Sequence, residues 1–575
     1  MTRAAHILGI VYGGHDTAAA LMSGGKWVAA CEEERYSREK HSRAFPNGAI
    51  ADCLKIGGLG VGDLSAIAFT LDPYRYIQET YLRPGLEDRQ RIRNVVSDIG
   101  RIEHFLATEE RIRAETGFEG PVHLNTHHLC HLASTYYPSG FDEALLVSID
   151  GLGEIESGFL GVGRGGEIEV VDSTNRYPDS LGLLYSAITF YLGWRHHCDE
   201  GIIMGLAPYG DPMATIPGAG RSYYSVFEEI VQETGPYSYT ISRDWISYHE
   251  VRDKWVSDRF YDTLGPRRDA DGEVLEHHKN VAAALQRRLE EVVLAQLARA
   301  REEFGLSRLC LSGGVALNCS MNGKIESSGM FDEIFVQPAS GDSGTALGAC
   351  CLSAKTLGHT PRPSKWHDFY LGSRFSDEEI ESAFEEAGLP VQRANDIHAR
   401  TAQELSNGKI VGWFQGGAEF GPRALGNRSI LCRPYPQGMR DHLNARVKFR
   451  EYFRPFAPAV LAERAKEYFD IGQESPHMLI ACKVLPSKKR AIPAVVHVDD
   501  SCRVQTVTEE NNAAFRKLIE AFHAQTGVPV VLNTSFNVKG QPIVNTPLEA
   551  IECFLGTNID YLAIGDYFAE KSADS

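Results

Sequence analysis

The chain has 575 residues, 43% of them hydrophobic and 23% charged, with a formal net charge of −18. That length exceeds what a single core supports, so two or more domains are expected, and the composition is that of a globular enzyme. The acidic balance argues against nucleic acid or an anionic membrane as partner, and the densest basic run, Lys488-Lys489-Arg490, is too short to alter this.

Ala4–Val11 reads as a first core strand rather than a signal peptide, because Gly13, Gly14, His15 and Asp16 break it. No apolar run approaches the ~20 residues that span a bilayer. Twelve cysteines are scattered without a C-x-x-C pair, which suits reduced thiols in the cytoplasm better than a disulfide framework or zinc ribbon.

Strands are expected at 6–12, 18–22, 27–31, 66–70 and 122–124, with a Ser23-Gly24-Gly25 turn among them. A helix carrying His127, His128 and His131 follows. The strand 145–149 then delivers Asp150-Gly151-Leu152-Gly153-Glu154, and another strand lies near 158–161. Leu285, Leu289, Val292, Val293 and Leu297 form one stripe of a long helix from about His278 to Phe304. It leads into the strand 309–311, the loop Ser312-Gly313-Gly314-Val315, the strand 333–336 and a helix opened by Ser340-Gly341-Asp342-Ser343-Gly344. Two prolines, Pro361 and Pro363, mark a domain boundary, and an acidic helix at 376–388 starts a second α/β unit.

His127 and His131 stand one helical turn apart on the same face. With a strand-end aspartate they suit a mid-row divalent metal, although one capping histidine and solvated neighbours would explain the same residues. The glycine loops at 151–153 and 313–314 let backbone N–H groups approach a phosphate. In an acidic chain, the arginines and lysines of Gly421-Pro422-Arg423-Ala424-Leu425-Gly426-Asn427-Arg428, of 446–450 and of Phe453-Arg454-Pro455-Phe456 suggest a pocket for phosphate and a nucleobase.

These motifs, together with His15-Asp16, Glu32-Glu33-Glu34-Arg35, Lys40-His41, Met204-Gly205-Leu206-Ala207-Pro208-Tyr209-Gly210 and Leu532-Asn533-Thr534-Ser535-Phe536-Asn537, resemble the O-carbamoyltransferases of antibiotic biosynthesis and nodulation, the NodU/CmcH type. The resemblance spans essentially the whole chain. It implies an α/β protein: an actin-like (ASKHA) domain over 1–358, similar to the tRNA threonylcarbamoyl transferase, a linker at 359–372, and a YrdC-like α/β domain over 373–575.

It also implies that carbamoyl phosphate and ATP, with Mg2+, give carbamoyl-adenylate and pyrophosphate in the second domain. The carbamoyl group then passes in the first domain to a hydroxyl of a small-molecule natural product. By the same resemblance His127, His131, Asp150 and Asp342 hold Fe2+ or another divalent metal, with His15 as general base and Lys40 stabilising charge. Arg423, Lys448, Arg503, Asn533 and Ser535 bind carbamoyl phosphate and nucleotide, with Arg428 and Arg454 as neighbours. Gly313, Gly314 and Asn318 line the adenylate.

One departure is Ile202, where family members often carry lysine. The segments 74–120 and 211–275 are where acceptor selectivity is expected. Competing expectations are threonylcarbamoyl transfer to tRNA and a non-enzymatic ATP-binding protein of the actin-like class. A homodimer is compatible with the chain.

Overall fold

The computed structural model describes residues 4–87, 91–251, 253–448 and 450–571. It divides into two compact units. The first contains the residues up to Ala30, Arg43–Met321 and Ser328–Lys365; the second contains Cys31–Ser42, Asn322–Ser327 and the chain from Trp366 onward. The main division thus falls inside the stretch read as a linker. Two short segments that the sequence reading leaves in the first domain group with the second unit. Long-range bonds explain one of them: Arg35 donates to Gly421 O, and Arg38 to Pro542 O and Ile543 O.

The first unit repeats one topology. Strands β1 (His6–Val11), β2 (Ala18–Ser23), β3 (Lys26–Glu32), β4 (Ala66–Phe69) and β5 (Val122–Leu124) form a sheet in the order β3-β2-β1-β4-β5. Here β1 is antiparallel to β2 and parallel to β4, and β4 is parallel to β5. Gly24 and Gly25 both have positive φ (57° and 80°), the requirement of the tight turn that folds β3 back on β2. Helix α1 (His127–Ser139) comes next.

The pattern then recurs. Strands β6 (Glu143–Ile149), β7 (Gly158–Arg164) and β8 (Glu167–Asp172) are an antiparallel meander. Beyond the long helix α2 (Glu276–Phe304), β9 (Arg308–Ser312) lies parallel to β6, and β10 (Glu333–Val336) parallel to β9. Helix α3 (Asp342–Thr356) closes the second half. Two such halves in tandem constitute the actin-like architecture.

The repeat positions the chemistry. Helices α1 and α3 occupy the same place in the two halves and cross closely, because a Cβ at Gly348 would stand 1.9 Å from Cys130 O. Helix α3 also lies on β1, where a Cβ at Gly9 would stand 2.1 Å from Ala346 O. The first residues of the two helices are His127 and Asp342, and Asp150 follows β6 as His15 and Asp16 follow β1. Residues 73–116 contain short helices whose Tyr76, Ile77, Tyr81, Ile102 and Phe105 form a small core that packs on Leu152.

The second unit carries an eight-stranded mixed sheet, the α/β layer expected there. Its strand order is Gln392–Arg393, Tyr567–Glu570, Tyr561–Ile564, Val411–Phe414, Arg428–Cys432, Val530–Ser535, Ala457–Leu461 and Gln505–Val507. Side chains alternate between its faces: Phe414, Ile430, Cys432 and Leu532 enter one core, and Val411, Trp413, Leu431 and Val531 the other. The apolar strands are therefore covered on both sides.

Candidate active site

In the first unit, His127, His131, Asp150 and Asp342 each direct a ligand atom into one cluster, all within 4.8 Å of one another. His127 Nε2 lies 3.1 Å from His131 Nε2, 3.4 Å from Asp150 Oδ2 and 3.6 Å from Asp342 Oδ1. His131 Nε2 is 3.7 Å from Asp150 Oδ2. Burial disfavours a charged imidazole at His127, yet Asp150 and Asp342 push its pKa up to about 9. Asp150 responds oppositely: burial would raise it, but its bonds to His127 and His131 hold it well below the usual carboxylate range. Converging lone pairs from two imidazoles and two carboxylates are the donor set of a mid-row dication. His131 Nδ1 is buried without a hydrogen-bond partner among the described residues.

The three histidines of the motif separate cleanly. His128 pairs Nδ1 with Ser148 Oγ at 3.0 Å and Nε2 with Glu156 O at 2.8 Å, so both ring nitrogens are engaged away from the cluster. Burial pushes its pKa down to about 3. It is a core histidine.

The cluster is braced by further groups, of which Glu154 has no role assigned from the sequence. Glu154, fully buried, accepts from the backbone N–H of His127 at 2.9 Å and of Asp72 at 3.0 Å. It thereby satisfies an open N–H at the start of α1. Gly314 N–H donates to Asp150 Oδ1 at 2.7 Å. Gly313 has φ +85° and would place a Cβ 2.3 Å from Ile149 O, so only glycine lets this loop pass so near β6. Asn318 exchanges hydrogen bonds with Gln286 and accepts from Met321 N–H. In the structure, then, Gly314 orients a cluster carboxylate and Asn318 belongs to a buried polar network.

His15 lies beside this cluster, its N–H 3.4 Å from Asp342 Oδ2 and its Nδ1 3.1 Å from Asp16 Oδ2. Its Nε2 meets the carbonyl of His197. Burial opposes the imidazolium, but Asp16 and Asp342 raise its pKa well above the usual value. Ile202 is 4% exposed and is part of the core.

The second unit collects cations. Buried Lys448 donates to Ser535 O, Ser535 Oγ, Asn537 O and Asn537 Oδ1. Its neighbours are positive: burial first, then Arg450, Arg454 and Lys40, push its pKa well below the usual value. Burial, Arg454 and Arg503 do the same to Arg450. Lys40, Lys448, Arg454 and Arg503 are thus brought into one field, joined by Arg450 of the basic run 446–450. Arg454 has a carboxylate, Glu451, 3.5 Å away, whereas Arg503 Nε is buried without a hydrogen-bond partner among the described residues.

Arg423 sits on a loop organised by Glu419, whose Oε1 accepts from the N–H groups of Leu425 (2.7 Å), Asn427 (2.8 Å) and Arg428 (3.0 Å). Asn533 braces the same loop through Ala424 O and Gln505 Oε1. Arg428 is different. Fully buried, it donates to the carbonyls of Ser373, Gln415, Gly416 and Asn427 and lies 3.6 Å over the Phe414 ring. Its guanidinium is committed to backbone carbonyls.

Residues 6–351 match the family described as Carbamoyltransferase N-terminus, and residues 402–571 match Carbamoyltransferase C-terminus. An uncharacterized protein of Synechocystis sp. is 36% identical, covering 99% of this chain and 97% of its own. The nodulation protein NolNO of Sinorhizobium fredii is 38% identical over 98% of this chain and 80% of its own. A 3′-hydroxymethylcephem-O-carbamoyltransferase of Streptomyces clavuligerus is 28% identical over 98% of each chain. The chain belongs to the carbamoyltransferase family and is a carbamoyl-transferring enzyme.

Proposed function

We propose that the protein transfers a carbamoyl group, activated with ATP, to a hydroxyl of a small-molecule natural product. The observation that carries this reading is the group Lys448, Arg450, Arg454 and Arg503 gathered in a chain of net charge −18. Lys448 is buried and the three arginines are half-buried, so together they favour an anion, and two phosphate-bearing substrates supply one.

Atom balance sets the sequence of events. Carbamoyl phosphate yields its phosphate to water, a carbamate oxygen attacks the α-phosphorus of ATP, and pyrophosphate leaves. Arg423, Lys448 and Arg503 would neutralise the charge that develops on the phosphates. Asn533 and Ser535 would orient the carbamoyl group. Lys40 enters the same field.

In the second step the acceptor hydroxyl attacks the carbamoyl carbon, AMP leaves with the anhydride oxygen, and the hydroxyl proton goes to a base. His15 is that base in this reading: Nε2–H donates to the His197 carbonyl, which leaves Nδ1 of the neutral ring to take the proton, and Asp16 beside Nδ1 stabilises the imidazolium that results. His127, His131, Asp150 and Asp342 would hold a divalent metal such as Fe2+, which when bound supplies Lewis-acid polarisation. Having both steps on one chain suits a mixed anhydride that water would otherwise destroy.

Family membership removes the non-enzymatic scaffold reading. The name of the Streptomyces clavuligerus relative supports a small-molecule hydroxyl as acceptor. Mass spectrometry of candidate acceptors after incubation with ATP, Mg2+ and carbamoyl phosphate should find the mass of one added carbamoyl group. Label moving from bicarbonate and threonine into tRNA instead would sink the small-molecule reading.

A further inference from the structure

In the first unit, the turn between the helices Leu181–Tyr191 and Glu200–Leu206 places His197 in the left-handed region, at φ 58°. A residue with a Cβ stays there only when its surroundings hold it. The holding group is Glu200. Its Oε1 accepts the backbone N–H of His197 at 2.6 Å and the Ser186 hydroxyl at 2.6 Å. Ser186 Oγ is in turn 3.3 Å from His197 Nδ1, and Arg195 N–H with Asp199 Oδ2, 3.0 Å apart, closes the base of the same turn. The carbonyl of His197, set by this backbone, meets His15 Nε2. Asp16 holds the opposite ring nitrogen at 3.1 Å.

We propose that Glu200 and His197 are positioning residues for His15: the Glu200 carboxylate fixes the left-handed backbone at 197, and this backbone aims its carbonyl at the His15 ring. The contribution of residue 197 lies in its main chain rather than its imidazole. The inference rests on the assignment of His15 to the transfer step.

The test compares two substitutions that both delete the 197 imidazole. His197→Gly tolerates positive φ, whereas the β-branched side chain of His197→Val disfavours it. The readout is the rate at which diethylpyrocarbonate carbethoxylates His15 in the full-length protein, followed by peptide mass spectrometry with exposed His359 as internal reference. In the wild type both His15 nitrogens are engaged and labelling is slow. Glu200→Ala and His197→Val should raise the rate about five-fold or more as the turn opens locally. Glu200→Gln, which keeps an acceptor oxygen, and His197→Gly should stay near the wild-type rate.

Equal rates for the Gly and Val variants would overturn the main-chain assignment, and an unchanged rate in folded Glu200→Ala would overturn the role of Glu200. If Glu200→Ala does not fold, the Gly and Val pair decides alone. Labelling reports the placement of the ring whether or not His15 accepts a proton. Failure of the transfer reading would show separately, as carbamoyl transfer that survives His15→Ala.

Discussion

Two neighbouring histidines show how much a single residue's partners decide. His127 sends Nε2 toward Asp150 and Asp342, whereas His128 is closed off by Ser148 and Glu156. If the cluster holds the proposed metal, His127→Ala should lower the metal content and block transfer while leaving carbamoyl-phosphate-dependent pyrophosphate release within about two-fold of wild type. Metal content by elemental analysis and the two assays run side by side would check this, and equal loss of both half-reactions would defeat a two-site enzyme. Glu419 presents a different dependence, since one buried oxygen serves three N–H groups. Glu419→Ala should cost about 3 kcal/mol or more in denaturant unfolding, because it strands those donors and removes a negative charge that acts on the buried Arg35 and Arg428 guanidiniums. Glu419→Gln should cost less, as it keeps an acceptor.

Elements carry the next level of constraint. The crossing of α1 and α3 depends on Gly348, where any side chain would meet Cys130 O. Gly348→Val should destabilise the fold by about 3 kcal/mol or more, because backbone rather than a flexible side chain would have to move. Thermal unfolding should report it, together with loss of bound metal, since the two helices begin at cluster ligands. Much at this scale was legible in the chain. The strand alternation, the stripe of α2 and the helix opened by Asp342 follow from periodicity, His127, His131 and Asp150 from residue type and spacing, and Asp342 joined them through the family resemblance. Glu154 and Glu419 were not legible, because a carboxylate that serves backbone N–H groups leaves no pattern in its own neighbourhood. The short helices within residues 73–116 were hidden for another reason: among the described residues their buried core is five side chains, packed by Leu71, Val95 and Leu152, too small to impose a strong repeat.

At the scale of the molecule, two chemically distinct sites lie in the two units, one built from histidines and carboxylates and the other from cations. Arg503→Ala should abolish carbamoyl-phosphate-dependent pyrophosphate release, a loss of about 100-fold or more if it contacts the phosphates. Its metal content should stay at the wild-type level. A chelator selective for mid-row metals, used with Mg2+ in excess, should stop transfer and spare pyrophosphate release. Retained transfer in the stripped enzyme would count against a metal role. Residues 31–42 show why domain boundaries were only partly legible, since Arg35 and Arg38 find their acceptors more than 380 positions away.

The duplicated topology has one electrostatic consequence. Because His127 and Asp342 each open a helix, the positive ends of two peptide dipoles converge on the same few ångströms. Asp150 and Asp342 already match the charge of a dication, so the field of the two helix ends is left to favour a further anion beside the metal. AMP should therefore tighten metal binding, and by thermodynamic reciprocity the metal should tighten AMP. Calorimetric titration of each in the presence and absence of the other would reveal the coupling, and independent affinities would refute it. The two halves would then act as an ion-pair receptor, in which neither guest is bound fully until both are present.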